Sequence, residues 1–377
     1  MALPSPPSLQ LYISGYGGAI SHLQFNPASD TNKIVQLGSL TIPGSSPSWL
    51  HYRYSDSDPS QLIKIYATDE QTPGQVFALD VSASSGNLTL SQTANTGDGP
   101  VAITTTNSNT CLATADYSAG TLTVHSLEAD TGAFTSLDPV STFQFNGTGP
   151  VASRQDHSYP HEAITDPSGQ WLYLPDLGAD KIHVFAAGSQ PCADIKQTID
   201  VDVPAGSGPR HLAFYTSPSN QTFAYLTSEL ANTVTAFLQD ASTGDLQAIA
   251  PPHVVLPPGA TYSGYSGSAP TVAEVAVTAD GRFVLVSARG SPDGIDHVAV
   301  YSRDEDTGAL QWVDWYSTEG QTPRHFSLSQ DSASSYVVVA NQNSGSAIIF
   351  SRDSESGALT KETLITGLDQ PNFAKFV

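Results

Sequence analysis

The sequence is poor in positive charge, in helical periodicity and in long apolar runs. Only 14 Lys and Arg residues stand against 36 Asp and Glu in 377 residues, which gives a net charge of −22. A chain this acidic repels phosphate backbones and anionic lipid surfaces, so neither nucleic acid nor a membrane is expected as a partner. No apolar stretch approaches the length of a membrane span, and no window repeats apolar residues at helical spacing.

Cysteine is also scarce, since the chain has only Cys111 and Cys192. The two could form a disulfide or remain buried thiols, and their spacing does not decide between these states. The N-terminus lacks the basic and apolar regions of a signal peptide. Asn-x-Ser/Thr sequons nevertheless occur in turn-like contexts at Asn87, Asn146 and Asn220. We therefore expect glycosylation and a secretory or extracellular location after removal of a signal peptide, with the cytoplasm as the alternative.

Glycine and proline are abundant, at 30 and 26 residues, as expected for many short strands joined by tight turns. One unit recurs along the chain at intervals of roughly 50 to 60 residues, a spacing typical of propeller blades. Each copy begins with a proline that leads into a short alternating strand, at Pro47, Pro100, Pro160, Pro209, Pro270, Pro323 and Pro371. This repeat is the main evidence for the fold.

A second strand recurs with the first, beginning at Leu11, Ile63, Cys111, Trp171, Phe223, Phe283 and Tyr336. A third strand then leads into an acidic hairpin with glycine at the turn, as in YSRDEDTGAL from Tyr301. Four antiparallel strands per unit predict an all-β, seven-bladed β-propeller that spans residues 1–377 as one domain. The chain ends on a first strand, so that strand should close the ring with the N-terminal strands, leaving residues 1–10 as an irregular extension.

The same topology predicts where polar side chains meet. First and second strands are antiparallel neighbours, so first-strand starts and second-strand ends share one rim of the central channel. First-strand starts supply His161, Glu162, Arg210, His211, Glu274, Arg324 and His325, with Arg154, Gln155 and His157 just before one of them. Second-strand ends supply Asp69, Glu70, Asp116, Asp176, Glu229 and Arg289. Because arginine holds carboxylates bidentately, this rim should bind an anionic or carbonyl-rich small molecule.

Plainer interpretations exist for several of these residues. The repeated Pro-Arg-His could be a packing device that pairs Arg with an acidic residue of the neighbouring blade. The segment from Asp176 to Asp180 could bind a cation, although a turn held by Asx hydrogen bonds is favoured. The loop with Tyr262 and Tyr265 is either a wall of the pocket or a flexible loop. No phosphate-binding loop, zinc spacing or nucleophile elbow occurs, so we expect a monomer without metal or cofactor.

Four segments resemble the lactonase-like propellers, a group that holds fungal 3-carboxy-cis,cis-muconate cyclases and bacterial-type 6-phosphogluconolactonases. These segments are RQDHSYPHEAITDPSGQWLYLPDLGAD, GSGPRHLAF, AEVAVTADGRFVLVSARG and TPRHFSLS, from Arg154, Gly206, Ala273 and Thr322. The chain departs from the phosphogluconolactonases at Glu162-Ala163, where they carry a second His close to the first. Because lysines are also few, a phosphosugar substrate is not expected.

The resemblance implies catalytic roles for His161, Arg210, Glu229 and Arg289. Arg210 and Arg289, with Arg324, would polarise a carbonyl or hold a carboxylate, and His161 or Glu229 would move a proton. The substrate would also contact Arg154, His157, His211, Glu274, Arg324, His325, Tyr262 and Tyr265. The implied activity is a metal-free cyclase or lactonase that closes or opens a ring on a small organic acid or lactone. The alternatives are a natural-product cyclase of fungal secondary metabolism, including a hetero-Diels–Alder pericyclase, and a non-enzymatic secreted binding protein.

Overall fold

The computed structural model describes residues 7–106, 109–188, 191–260, 270–291 and 293–377. Blade 1 contains β1 (Leu9–Gly15), β2 (Ala19–Phe25), β3 (Ile34–Thr41) and the C-terminal β29 (Pro371–Phe376). Blade 2 contains β4 (Leu50–Tyr54), β5 (Leu62–Asp69), β6 (Gln75–Val81) and β7 (Leu88–Asn95). Blade 3 contains β8 (Pro100–Thr106), β9 (Cys111–Asp116), β10 (Thr121–Ser126) and β11 (Ser141–Gln144). Blade 4 contains β12 (Ile164–Thr165), β13 (Trp171–Asp176), β14 (Lys181–Ala186) and β15 (Lys196–Asp202).

The remaining blades follow the same plan. Blade 5 contains β16 (Pro209–Thr216), β17 (Thr222–Ser228), β18 (Thr233–Gln239), β19 (Leu246–Ala248) and β20 (His253–Val254). Blade 6 contains β21 (Thr271–Val277), β22 (Phe283–Arg289), β23 (His297–Arg303) and β24 (Leu310–Ser317). Blade 7 contains β25 (Pro323–Leu328), β26 (Tyr336–Asn341), β27 (Ser346–Arg352) and β28 (Leu359–Thr366). Short 3-10 helices lie at Cys192–Asp194 and Gln342–Ser344, and no helix of the described residues is long and apolar enough to cross a membrane.

The predicted seven-bladed propeller is confirmed, including its closure. β29 pairs with β1, so the last strand of the chain completes the blade that the N-terminus begins. This pairing removes the two free edges that an open array of blades would expose. The predicted extension of residues 1–10 is too long, because Leu9 and Gln10 already pair with Phe25 and Gln24 in the sheet.

The core lies between blades rather than within one blade. The alternation of apolar side chains gives each sheet two buried faces, and each face packs against the next sheet. Between blades 4 and 5, for example, Tyr173 and Val184 pack with Leu212 and Leu226. The disulfide Cys111–Cys192 also joins two blades, since it links β9 to the 3-10 helix that precedes β15. Of the two states that the sequence left open for these cysteines, the structure has the disulfide.

A recurring hydrogen bond fixes neighbouring blades to one another. A tyrosine of the second strand donates its hydroxyl to the carbonyl of a hairpin glycine in the next blade: Tyr12 to Gly86, Tyr66 to Gly132, Tyr173 to Gly244 and Tyr225 to Gly308. Gly132 has a φ of 66°, and a Cβ there would lie 2.6 Å from the Tyr66 hydroxyl. Glycine at this turn therefore serves both the hairpin and the contact between blades.

Strand register places first-strand starts beside second-strand ends, as predicted. Pro209 lies opposite Ser228, and Thr271 lies opposite Arg289. Pro323 lies opposite Asn341 in the same way. One rim of the channel therefore receives the residues that follow each repeated proline and those that close each second strand.

Candidate functional site at the channel mouth

A small polar cavity lies at this rim and holds about 230 Å³ of space between its atoms. It is lined by Ser48, Trp49, Glu70, Val101, His161, Arg210, His211, Arg324, His325 and Asn372. Six of these residues stand directly after a repeated proline: Ser48, Val101, His161, Arg210, Arg324 and Asn372. The position directly after the repeated proline therefore brings one side chain from each of six blades to the same cavity.

Glu229 is held by three arginines beside the cavity. Its Oε2 lies 3.0 Å from Arg210 Nε and 3.0 Å from Arg289 Nη2, and its Oε1 lies 2.7 Å from Arg154 Nη2. Burial by itself would raise the pKa of Glu229, but the charges of Arg289, Arg210 and Arg154 outweigh burial and hold that pKa well below its usual range. Glu229 is therefore a permanent anion that orients the guanidinium groups.

Glu229 and its three arginines, Arg154, Arg210 and Arg289, form what we call the Glu229 clamp. This clamp corrects one sequence-based expectation. Both carboxylate oxygens of Glu229 contact guanidinium groups, so Glu229 is poorly placed for the proton transfer suggested for it. Arg289 is also engaged elsewhere, since its Nη2 donates to the carbonyl of Val272 at 2.8 Å. Neither Glu229 nor Arg289 lines the cavity, whereas Arg210 does. Arg210 therefore connects the clamp to the ligand space.

His161 is the uncharged base of the cavity. The side chain is buried, and its Nδ1 has no hydrogen-bond partner from another described residue. Burial lowers the pKa of His161 well below its usual value, and the positive charges of Arg210 and Arg324 lower it further. The imidazole is therefore neutral at neutral pH, and its unpartnered Nδ1 can accept a hydrogen bond from a ligand.

Arg324 is the cavity's loosely held cation. Its Nη2 lies 3.7 Å from Glu70 Oε1, and its guanidinium lies 5.6 Å from the centre of the Tyr16 ring. The Tyr16 hydroxyl donates to the Glu70 carboxylate at 2.9 Å, and burial raises the pKa of this phenol to about 12. The amide of the buried Asn372 is near enough to lower that pKa slightly, yet it makes no hydrogen bond of good geometry. Arg324 thus has donors left over for a ligand.

A second polar layer lies behind the cavity wall. His211 Nδ1 is 3.1 Å from both carboxylate oxygens of Glu274, and His325 Nε2 is 3.6 Å from Glu274 Oε2. Burial raises the pKa of Glu274 and lowers that of His325 to about 4. Nearby, Glu162 accepts the backbone N–H of Leu212 at 2.6 Å, and burial raises its pKa well above the usual value. The buried carboxyl groups around the deeper channel are therefore harder to ionise, and its buried imidazoles harder to protonate, than exposed groups of the same kind.

The structure gathers most of the predicted rim residues but not all of them. His157 was expected at the substrate, and this is wrong: its side chain is 47% exposed, pairs with Asp156 and packs on Tyr159 with the ring centres 3.8 Å apart. Arg154 reaches the clamp rather than the cavity. The predicted wall residues Tyr262 and Tyr265 lie outside the described residues.

Other predicted rim acids have structural roles. Asp116 accepts hydrogen bonds from three threonines, and Asp69 accepts the backbone N–H of Ser46 at 2.7 Å. Asp176 accepts the N–H groups of Tyr159, Gly178 and Ala179, which is the favoured Asx turn rather than a cation site. Among the residues that the structure describes, no group of three or more His, Cys, Asp or Glu side chains could hold a metal ion.

The sequence reasoning missed Tyr16, Trp49, Tyr117 and Asn372. Trp49 and Asn372 follow the repeated prolines at 47 and 371, so the repeat itself carried the signal. Tyr16 and Tyr117 stand one residue beyond a second strand, the position that Glu70 and Glu229 occupy in their own blades.

A seven-bladed propeller with a small polar cavity at one channel mouth belongs to the class of propellers that bind or transform small molecules at that point. More narrowly, the chain belongs to the family described as Lactonase, 7-bladed beta-propeller, whose model matches residues 10–376. The relatives named below include proteins named 6-phosphogluconolactonase and gluconolactonase. The predicted family resemblance is thereby confirmed.

Relatives of known name match over most of the chain. A 6-phosphogluconolactonase of Bacillus subtilis is 30% identical over 327 residues, which is 86% of this chain and 86% of that protein. A 6-phosphogluconolactonase of Formosa agariphila is 28% identical over 305 residues, 80% of each chain. The solved structure of a Pseudomonas aeruginosa periplasmic gluconolactonase matches with a TM-score of 0.82 at 27% identity, covering 98% of this chain and 99% of that one.

Proposed function

We propose that the protein hydrolyses a small lactone, with His161 as general base and Arg210 and Arg324 as the groups that stabilise the oxyanion. The observation that carries this proposal is the juxtaposition, in one cavity, of a neutral imidazole with an unpartnered nitrogen and two guanidinium groups. Family membership supports a lactone substrate. Ring closure would use the same groups in the reverse direction.

The chemistry follows from charge and protonation. A water molecule that attacks the lactone carbonyl must lose a proton, and neutral His161 is available to take it. Negative charge then develops on the carbonyl oxygen, where a fixed guanidinium stabilises it in a site with little water. Burial and the charge of Arg289 lower the pKa of Arg210 to about 10, so Arg210 remains a cation at neutral pH. The Glu229 clamp holds that cation in place.

The charges around the cavity favour a substrate without a phosphate group. Arg154, Arg210 and Arg289 already share the charge of Glu229, and Glu70 adds a carboxylate to the cavity wall. Arg324 alone is weakly paired, which suits a carbonyl or one carboxylate better than a phosphate dianion. The similarity to a protein named gluconolactonase supports the same choice, whereas the relatives named 6-phosphogluconolactonase provide the competing substrate.

Hydrolysis of gluconolactone, 6-phosphogluconolactone and simple five- and six-membered lactones tests this function. We expect turnover of uncharged lactones, and a loss of at least about 100-fold in kcat/KM for H161Q, the usual size of a general-base contribution. H157Q is the matched control, because His157 is an exposed histidine of the same segment that does not line the cavity. Full activity in H161Q, or turnover of the phosphorylated lactone alone, would contradict the proposal.

We also propose that the protein matures in an oxidising compartment. The Cys111–Cys192 disulfide is typical of secreted proteins, and Asn87, Asn146 and Asn220 are all exposed. Intact mass of the protein from its native host, before and after N-glycosidase treatment and with and without reductant, tests both features. Two free thiols together with three unmodified asparagines would place the protein in a reducing compartment instead.

A further inference from the structure

His211 joins the cavity to a buried carboxyl group. Its side chain lines the cavity, and its Nδ1 lies 3.1 Å from both oxygens of Glu274, which does not line the cavity. The Glu274 Oε1 also accepts the backbone N–H of Val275 at 3.0 Å, which fixes the carboxyl group on the channel side of β21. A carboxyl–imidazole pair thus extends from the interior to the ligand space.

The surroundings of Glu274 favour its protonated form. Burial raises the pKa of this carboxyl, and the interactions with His325, Arg210, the Val275 N–H and Lys375 offset burial only in part. The neighbouring buried Glu162 works in the same direction, because two carboxylates at one site disfavour the ionisation of both. The raised pKa widens the pH range in which Glu274 carries a proton behind the cavity wall.

The positions of His161 and His211 fit the two proton transfers of lactone opening. The attacking water and the departing ring oxygen are bonded to the same carbonyl carbon, so the base and the acid must be close neighbours. The ring centres of His161 and His211 are 5.1 Å apart, and both rings line the cavity. One imidazole can therefore face the water while the other faces the ring oxygen.

We propose that Glu274 and His211 form a proton relay that protonates the departing ring oxygen, an inference that rests on the lactone hydrolysis proposed above. The carbonyl carbon gains the water oxygen, His161 takes the proton of that water, and the bond from carbon to the ring oxygen breaks. The new alkoxide takes a proton from His211 Nε2 while His211 Nδ1 receives the proton of Glu274. The new carboxylic acid and His161 each lose a proton to solvent, and the carboxylate product leaves. Uptake of a proton at His211 Nε2, with return of the Nδ1 proton to Glu274, completes the cycle.

Between transfers, the positive charge of Arg210 disfavours protonation of the His211 imidazole. Its Nη1 lies 3.3 Å from His211 Nδ1 and 3.2 Å from His211 Nε2. Burial lowers the pKa of His211 well below its usual value, and the Arg210 and Arg324 charges lower it further, against the opposing charge of Glu229. The resting proton therefore belongs to the carboxyl group, and His211 passes it on in a single event.

The relay predicts that mutational losses depend on the leaving group. Dihydrocoumarin releases a phenoxide that needs little protonation, whereas δ-valerolactone releases an alkoxide that needs a proton. We expect E274Q and H211Q to lose about 100-fold or more in kcat for δ-valerolactone and less than about 10-fold for dihydrocoumarin. H157Q is the control: His157 is an exposed histidine that does not line the cavity, so the ratio of the two rates should stay at the wild-type value.

The outcomes separate this inference from the proposed function. Equal losses on both lactones in E274Q and H211Q, with active wild-type protein, would overturn the relay and leave the hydrolysis intact. Absence of lactone turnover in the wild type would overturn both. If neither variant folds, the wild-type pH profile decides, since δ-valerolactone hydrolysis should decline with rising pH as Glu274 loses its proton, while dihydrocoumarin hydrolysis should not. Parallel profiles for the two lactones would refute the relay.

Discussion

Two buried glutamates of the same channel, Glu229 and Glu274, have pKa values that are shifted in opposite directions. Both are almost fully buried, and burial pushes the pKa of each upward. Glu229 contacts three guanidinium groups, which are permanent cations, and its pKa is held well below the usual range. Glu274 contacts two imidazoles whose own pKa values are lowered, and its pKa is raised.

The difference shows that the partner, rather than depth, decides the charge of a buried carboxyl group here. A guanidinium cannot give up its proton under ordinary conditions, so the anion beside it is fixed. An imidazole can become neutral, so the carboxyl group beside it can keep the proton. The outer layer is therefore suited to holding cations in place, and the inner layer is suited to moving a proton.

Removal of the Glu229 charge should give the largest effect. E229Q keeps the shape of the side chain but leaves Arg154, Arg210 and Arg289 without their shared counter-ion. Breaking such a buried ion cluster costs about 3–5 kcal/mol, so the free energy of unfolding in urea should fall by that amount. E274Q is the matched control and should cost about 1 kcal/mol or less, because the raised pKa means that the charge of Glu274 does not stabilise the fold. Equal losses in the two variants would show that the two carboxyl groups do not differ in charge.

The pH dependence of these two variants should differ in sign. Glu229 has a folded-state pKa below its usual 4.5, so its contribution is complete above about pH 4.5 and declines as the pH falls. Glu274 has a folded-state pKa above 4.5, so the wild type loses stability as the pH rises from 4.5 through that value. Relative to wild type, the free energy of unfolding of E229Q should therefore fall as the pH rises towards about 4.5. That of E274Q should instead rise relative to wild type as the pH increases above 4.5.

Urea unfolding of wild type, E229Q and E274Q between pH 3.5 and 8, at intervals of about half a pH unit, measures how these stability differences change with pH. Each variant is compared with wild type at the same pH, so that the titration of His51, His161 and the other unchanged groups largely cancels. Differences that run parallel for the two variants would mean that burial alone sets both pKa values.

The fold could be predicted from the sequence because each blade repeats the same local sequence pattern. Proline before the first strand, glycine at the hairpin and alternating apolar residues recur at the same offsets, so blade count and closure follow from the pattern. Strand boundaries could be predicted less well: the chain enters β1 at Leu9 rather than Leu11. The side chain of Leu9 packs on the core between blades, a contact that the local pattern does not contain.

The candidate site could be predicted in position but not in chemical state. The repeat brings His161, Arg210 and Arg324 to one rim, and the cavity contains them. The repeat does not say that Glu229 meets three arginines, because its contacts with Arg154 and Arg289 cross blades. His157 was misplaced for a similar reason: it belongs to the segment before Pro160, whose path depends on the stack with Tyr159.

The smallest expected effect distinguishes two arginines of the Glu229 clamp, Arg154 and Arg210. Arg154 is 41% exposed at the side chain, whereas Arg210 is 2% exposed, although both contact the same carboxylate. Solvent and salt screen the exposed pair, so R154Q should cost about 1 kcal/mol or less, and that cost should shrink in 0.5 M salt. R210Q should cost more and respond less to salt, because its ion pair is shielded from solvent. Urea unfolding of both variants at low and high salt measures the contrast. Equal, salt-insensitive losses would mean that Arg154 belongs to the buried clamp as fully as Arg210 does.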